Sequence, residues 1–234
     1  MKSPRRIVLT DEIIARHNLC TDPPPSDSLF WLLWNTCIQT AQQALQTPFI
    51  QGVKAGTLDP VVYGGFNVND AYYCFNGAPD YQSAAQRASD VTLQQFLTAK
   101  YNSYQTYNAT FPQIWRVKDA TSIIPFDVCQ QYSQFESYIA TKFDPIYCLI
   151  AMLPCECLWA WLGEQLSPPD PQNLYAPWVN GNNDFSGAYA IGNFLQSYQI
   201  ANPGVVDQSL SLKIYSQAMI YEQQNFAAAL SATD

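Results

Sequence analysis

Along almost the whole chain apolar residues recur at spacings of three and four, the period of a helix with one face turned inward. Ser28 to Leu45 is the clearest case, with Phe30, Leu33, Trp34, Cys37, Ile38, Ala41 and Leu45 on one stripe and Ser26 or Asp27 placed to cap it. Thr47-Pro48 breaks that helix. After a connection carrying Gly52 and Gly56, Asp59-Pro60 starts a second helix that runs to about Phe75 and is expected to close at Asn76-Gly77. Ala78 to about Asn108 reads as a long third helix, and Phe111 to Ile124 as irregular chain in which Trp115 packs while Arg116-Val117-Lys118 stay wet. A fourth helix follows Pro125 and places Val128, Cys129, Tyr132, Phe135 and Ile139 on one side. Shorter or weaker helices are expected near Tyr175 to Trp178 and over Phe185 to Tyr198, and a last one from about Val205 to Leu230. No period-two pattern with hairpin turns occurs, so the chain is expected to be an all-α bundle of about eight helices.

The most apolar stretch is Ile146 to Leu166, IYCLIAMLPCECLWAWLGEQL. Asp144 can cap its free N–H groups, and the fixed φ of Pro145 suits a first helical turn. Pro154 falls well inside, where it cannot donate to the Ile150 carbonyl, so a kink is expected there. Cys155 follows directly. At about 100° per residue it shares a face with Leu158, Trp159 and Leu162. By itself such a thiol is a buried structural cysteine, since free cysteine is among the most buried residue types. A chemical role needs partners from elsewhere in the chain.

A chain of 234 residues can bury one large core, and no Gly/Ser-rich linker divides it. Residues 29–234 are therefore expected to form one domain, with 1–28 as a tail or strap holding a short helix, Asp11 to His17, and the extended Pro23-Pro24-Pro25. Apolar residues make up 48%, but Glu156 and Glu164 interrupt the central helix, so no uninterrupted membrane span is expected. The N-terminus MKSPRRIVLTDEIIARH is basic without the apolar core of a signal peptide, which predicts a cytoplasmic protein in which the sequon at Asn108 is idle. Seven cysteines, an odd number without paired C-x-x-C spacing, fit reduced thiols. A net charge of −8, with no basic cluster beyond Arg5-Arg6, argues against nucleic acid. The one histidine, His17, cannot supply the paired Glu-x-x-His motifs of a di-iron bundle, and a lone histidine is more often a surface or capping residue than a haem ligand. No metal and no cofactor are expected.

Polar groups on core stripes carry the chemistry, because a buried charge is costly unless something pairs with it. Asp70 lies on a line with Phe66 and Tyr73 in the second helix, and Glu222 lies between Ala218 and Phe226 in the last. Taken singly, each is a carboxylate at a helix flank. Together with Cys155 and Tyr132 they outline a pocket holding a thiol, two carboxyls and phenols, in which the tyrosines and Trp159 can stack on a flat ring. A thiolate adds to an electron-poor carbon, one carboxyl exchanges protons, and another can accept the N–H groups of an amino-heterocycle. No histidine is available to activate the thiol as in papain-like or caspase-like sites.

These motifs resemble the TenA family, the thiaminase II and aminopyrimidine aminohydrolase group with the haem-oxygenase-like fold, over about Leu29 to Leu230. TPFIQGVKAGTL with VNDAYY is similar to the family's first two helices, LPCECLWAWLGE to its cysteine helix, YAPWV to its Y-x-x-W segment and YEQQNF to its terminal glutamate motif. The resemblance implies a hydrolase that cleaves a C–N bond at an aminomethylpyrimidine or thiamin, without a metal, acting on a small-molecule substrate as a homo-oligomer, tetramer or dimer. It implies that Cys155 is the nucleophile, Glu222 the proton exchanger and Asp70 the residue that holds the pyrimidine. Tyr73 and Phe66 would line the ring, Tyr132 would hydrogen-bond near the thiol, and Phe226 would close the wall with Trp159. Where the family usually carries a tyrosine four residues beyond the YAPWV tryptophan, this chain has Asn182, which alters one wall. A low charged fraction, 13%, with many aromatics also fits a repurposed member that acts on or binds another, more apolar metabolite, and a non-catalytic binding protein stays open as a further reading.

Overall fold

The computed structural model describes residues 20–230, and among them the chain is helix and connection without a strand. The expected helix Asp11 to His17, and His17 itself, lie outside the described residues. Eleven α-helices follow in order: α1 Leu29–Thr36, α2 Ile38–Leu45, α3 Pro48–Ala55, α4 Pro60–Arg87, α5 Val91–Asn108, α6 Phe111–Ile114, α7 Asp127–Lys142, α8 Ile146–Gln165, α9 Ala176–Asn182, α10 Ser186–Ala201 and α11 Gln208–Ala228. Aspartates start the long ones. Asp59, Asp90 and Asp207 accept the backbone N–H of Val61, Leu93 and Leu210 at 2.7, 2.8 and 2.6 Å, and Asp144 accepts that of Ile146 at 3.1 Å.

The centre is α8. Seventeen of its twenty residues are buried, which leaves it no wet face. By length and composition it could cross a membrane, yet 94% of its apolar window is enclosed by the rest of the protein, the environment of a core helix. It runs unbroken through Pro154. α11, α10, α9 and α7 pack around it, while α4 lies against α5 and α7. The strap before α1 is tied down by Asn193, which donates to the carbonyls of Cys20 and Asp22, and by the Trp31 indole, which donates to Pro24 at 2.9 Å.

Several boundaries differ from the sequence reading. The expected single helix Ser28 to Leu45 is separated at Cys37, whose N–H is shared between the Leu33 and Trp34 carbonyls. PFIQGVKA is helical, started by Pro48 and stopped by Gly56 in the left-handed region at φ 70°. Asn76-Gly77 closes nothing. α4 continues through Pro79 to Arg87, because Gly77 serves close packing: a Cβ there would lie 2.9 Å from Met152 and Tyr104. The break in the expected third helix falls instead at the Asp90 cap. Phe111 to Ile124 is partly helical, and Val117, expected to be wet, is buried.

Candidate active site

Four helices bring the candidate residues to one place. α8 turns Cys155 and, four residues on, Trp159 to the interior; α11 does the same with Glu222 and Phe226, α4 with Phe66, Asp70 and Tyr73, and α7 with Tyr132. Glu222 is the knot. Its Oε2 accepts the Trp159 indole N–H at 3.0 Å and its Oε1 accepts the Tyr132 hydroxyl at 3.3 Å. Tyr132 stacks on Tyr73 with ring centroids 4.9 Å apart, and on Tyr221 at 5.5 Å. An apolar wall stands beside this group: Phe66 stacks on Phe226 at 5.2 Å and on Trp159 at 5.9 Å, and Phe49 backs Phe66 at 4.1 Å. Cys155, 1% exposed, meets the Tyr104 hydroxyl at 3.7 Å.

Two expected members sit differently. Asp70 is buried, and its charge adds to burial in raising the Cys129 thiol far above its ordinary value. Asn182 is also buried, but its amide donates back to the Trp178 carbonyl at 2.7 Å, and its link to the site runs through the Trp178 indole, 5.5 Å from Trp159. Its backbone lies on Gly163, where a Cβ would come within 2.6 Å of the Asn182 carbonyl carbon.

The structure adds residues the motifs did not supply. Glu136, 1% exposed, accepts the Tyr73 hydroxyl at 2.8 Å. It stands four residues after Tyr132, so the same-face rule that selected Tyr132 also points to it. Tyr104 stands seven residues after Leu97 on the buried face of α5, in register with it. Asn69, next to Asp70, ties three helices together: its amide donates to Asn225 at 2.9 Å and its oxygen accepts the Phe126 N–H at 2.9 Å. No sequence signal marks a buried asparagine as a tie of this kind.

Burial governs the site's electrostatics. It is the first cause that raises Tyr73, Tyr104 and Tyr132 well above the phenol range, followed for the first two by the neighbouring Cys155 and for Tyr132 by Glu136. These hydroxyls therefore remain donors at any ordinary pH. Glu136 is also raised well above the carboxylate range, by burial and then by the charge of Asp80, and Asp80 itself is pushed up to about 7 by burial. Among the described residues no group of three or more His, Cys, Asp or Glu is placed to hold a metal ion. The arrangement offers a thiol for addition, a carboxyl held by two donors for proton exchange, and parallel aromatic surfaces for a flat ring.

No family model and no curated protein matches the sequence. Solved structures do. A TenA homologue from Pyrococcus horikoshii OT3 is 18% identical with a TM-score of 0.74, covering 87% of this chain and 99% of that one. A protein from Silicibacter sp., described as a TenA family transcription regulator, is 17% identical at a TM-score of 0.75, with 88% and 98% covered. One from Sulfolobus solfataricus, described as a TenA-like thiaminase, is 15% identical at 0.65, with 86% and 94% covered. At these identities the likeness is one of fold, extending over nearly the full length of each neighbour, and it establishes that this chain has the all-α, haem-oxygenase-like fold of the TenA proteins.

Proposed function

We propose that this protein is a hydrolase that uses Cys155 to cleave the exocyclic C–N bond of an aminomethylpyrimidine, or of thiamin. The observation that carries the proposal is the Glu222 carboxyl, held by Tyr132 and Trp159 where the helix bearing Trp159 also presents Cys155. The thiol adds to an electron-poor ring carbon, its proton passing to a ring nitrogen. From an aminomethylpyrimidine the electron pair gained by the ring expels the amine, which leaves with a proton from Glu222; from thiamin it expels neutral thiazole, which needs no proton, and Glu222 enters as the carboxylate. Water attacks the exocyclic carbon and returns a proton to Glu222, and loss of the thiol restores the aromatic ring. One water is consumed and a hydroxymethyl product is released, together with the amine from an aminomethylpyrimidine or with thiazole and a proton from thiamin. Asp70 would hold the amino-heterocycle, and Tyr73, Phe66, Trp159 and Phe226 would enclose it.

One specific feature favours a second reading, the same scaffold acting on a more apolar metabolite: Asn182 stands where the resembled family carries a tyrosine, beside a stack of Phe49, Phe66, Trp159, Trp178 and Phe226. The two are separated by incubating the purified protein with aminomethyl-aminopyrimidine and with thiamin, following the hydroxymethyl product by mass. Product from the wild type that vanishes in Cys155→Ala and Glu222→Gln is the expected result. No product from folded protein would transfer the proposal to the second reading.

A further inference from the structure

Tyr104 belongs to none of the motifs that carry the family resemblance, and the reaction just described gives it no task. Its hydroxyl nevertheless meets the Cys155 sulfur at 3.7 Å, a contact between side chains 0% and 1% exposed. The surroundings build this approach. Lys100 and Tyr104 stand one turn apart on α5 and reach Glu156 and Cys155, which are adjacent on α8: the ammonium group donates to the carboxylate at one level, and the phenol meets the thiol at the next. α4 leaves room for the ring. A Cβ at Gly77 would lie 2.9 Å from the Tyr104 ring, and Tyr81, one turn further along α4, packs edge-on against that ring with centroids 5.1 Å apart. From these contacts we infer that Tyr104 is a catalytic residue, the hydrogen-bond donor that holds the Cys155 sulfur when it carries the electron pair. The inference rests on the proposed hydrolysis for its place in turnover.

The direction of the bond follows from the two groups. A thiol is a weak donor, so the hydroxyl donates and the sulfur accepts. Burial first, and then the charge of Cys155, raise Tyr104 well above the phenol range, so the proton stays on its oxygen. A buried thiolate is costly unless a donor meets it, and the Lys100 ammonium is engaged by Glu156.

The steps balance with Tyr104 in this role. In the addition the sulfur pair forms the S–C bond and the thiol proton passes to the ring nitrogen, while Tyr104 keeps its own proton. In the last step the S–C bond breaks and the pair returns to sulfur. The thiolate leaves against the Tyr104 hydroxyl, then takes its proton back from the ring nitrogen. No proton is gained or lost, and the phenol is neutral throughout. A hydrogen bond to an ionised acceptor is roughly twice as strong as one between neutral groups, so the contact is strongest where negative charge develops on sulfur. Such a contact accelerates the reaction rather than tightening substrate binding.

Two measurements test the assignment. The first needs no substrate: the Raman S–H stretching band of the resting protein that is lost in Cys155→Ala. Tyr104→Phe keeps the ring against Gly77 and Tyr81 and removes the donor alone, so it should displace this band. A ring-fluorinated tyrosine in place of Tyr104 is a stronger donor and a poorer acceptor, and should displace it in the opposite sense. A band that Tyr104→Phe leaves in place would overturn the assignment, and so would displacement in the same sense by both replacements, which would make the thiol the donor. The second measurement is turnover of aminomethyl-aminopyrimidine. Tyr104→Phe should lower kcat at least about tenfold with KM kept and the urea midpoint near that of the wild type, and the fluorinated tyrosine should restore kcat. Wild-type kcat in Tyr104→Phe, or a raised KM with kcat kept, would equally overturn it. If the wild type turns nothing over while the Raman band behaves as expected, the hydrolysis proposal fails and Tyr104 stands as the donor to Cys155.

Discussion

Glu156 stands one residue after Cys155 in the most apolar helix of the chain, and what allows it there is Lys100, wholly buried, whose ammonium group donates to it across 56 residues of sequence. The same ammonium lies 5.9 Å from the Tyr81 ring. Removing one member of such a pair strands the other charge in the core, whereas removing both leaves an apolar contact. Lys100→Met should therefore lose about 3–5 kcal/mol of stability, and Lys100→Met with Glu156→Leu should recover most of it. Denaturant midpoints of the two variants check this; a double variant as weak as the single would mean that the charge, not its burial, supports the fold. The sequence shows Glu156 as an interruption of the helix and cannot show its partner, because Lys100 lies on a helix whose register only packing fixes. Asp70, Glu222 and Cys155 could be found as polar groups on apolar stripes. Glu136, one turn beyond Tyr132 on the same face of α7, obeys the same rule.

Elements were legible where their signals are local. Asp59-Pro60 and Asp144-Pro145 are read correctly as starts because a cap is satisfied within three residues of itself. Asn76-Gly77 misleads because a glycine that stops a helix and one that admits a neighbour look alike in sequence. Which use prevails depends on Met152 and Tyr104, distant in the chain. Gly163 is a second case of the same use. The short helix α9, which carries Trp178 and Asn182, sits directly on it, and a Cβ at Gly163 would lie 2.5 Å from the Asn183 nitrogen and 2.6 Å from the Asn182 carbonyl carbon. These are backbone atoms, with no rotamer to give way. Gly163→Ala should push α9 off α8 and cost about 1–3 kcal/mol despite the better helix propensity of alanine. A denaturation midpoint equal to or above the wild type would show that α9 moves freely on α8, and with it the wall formed by Trp178 against Trp159.

For the molecule as a whole, burying acids without cations makes stability depend on pH in an unusual direction. Asp80 is 4% exposed, its Oδ2 has no hydrogen-bond partner, and its value rises from 3.8 in the open chain to about 7 in the fold. Between those values the unfolded chain has already released the proton that the folded protein keeps. The unfolded state then binds fewer protons, so unfolding becomes more favourable as pH increases. The penalty is absent below about pH 4, grows through the interval and is complete above about pH 7, where both states are ionised. Glu136, raised by burial and by Asp80, acts in the same sense. A shift of this size corresponds to ~4 kcal/mol as an upper figure, since the Ser137 hydrogen bond and local relaxation both ease the ionised form. Asp80→Asn has no proton to lose and should match the wild type in acid, then exceed it by a margin that widens toward neutral pH. Urea midpoints of both proteins across that range measure the margin, and parallel curves would mean that Asp80 finds compensation in the fold when it ionises.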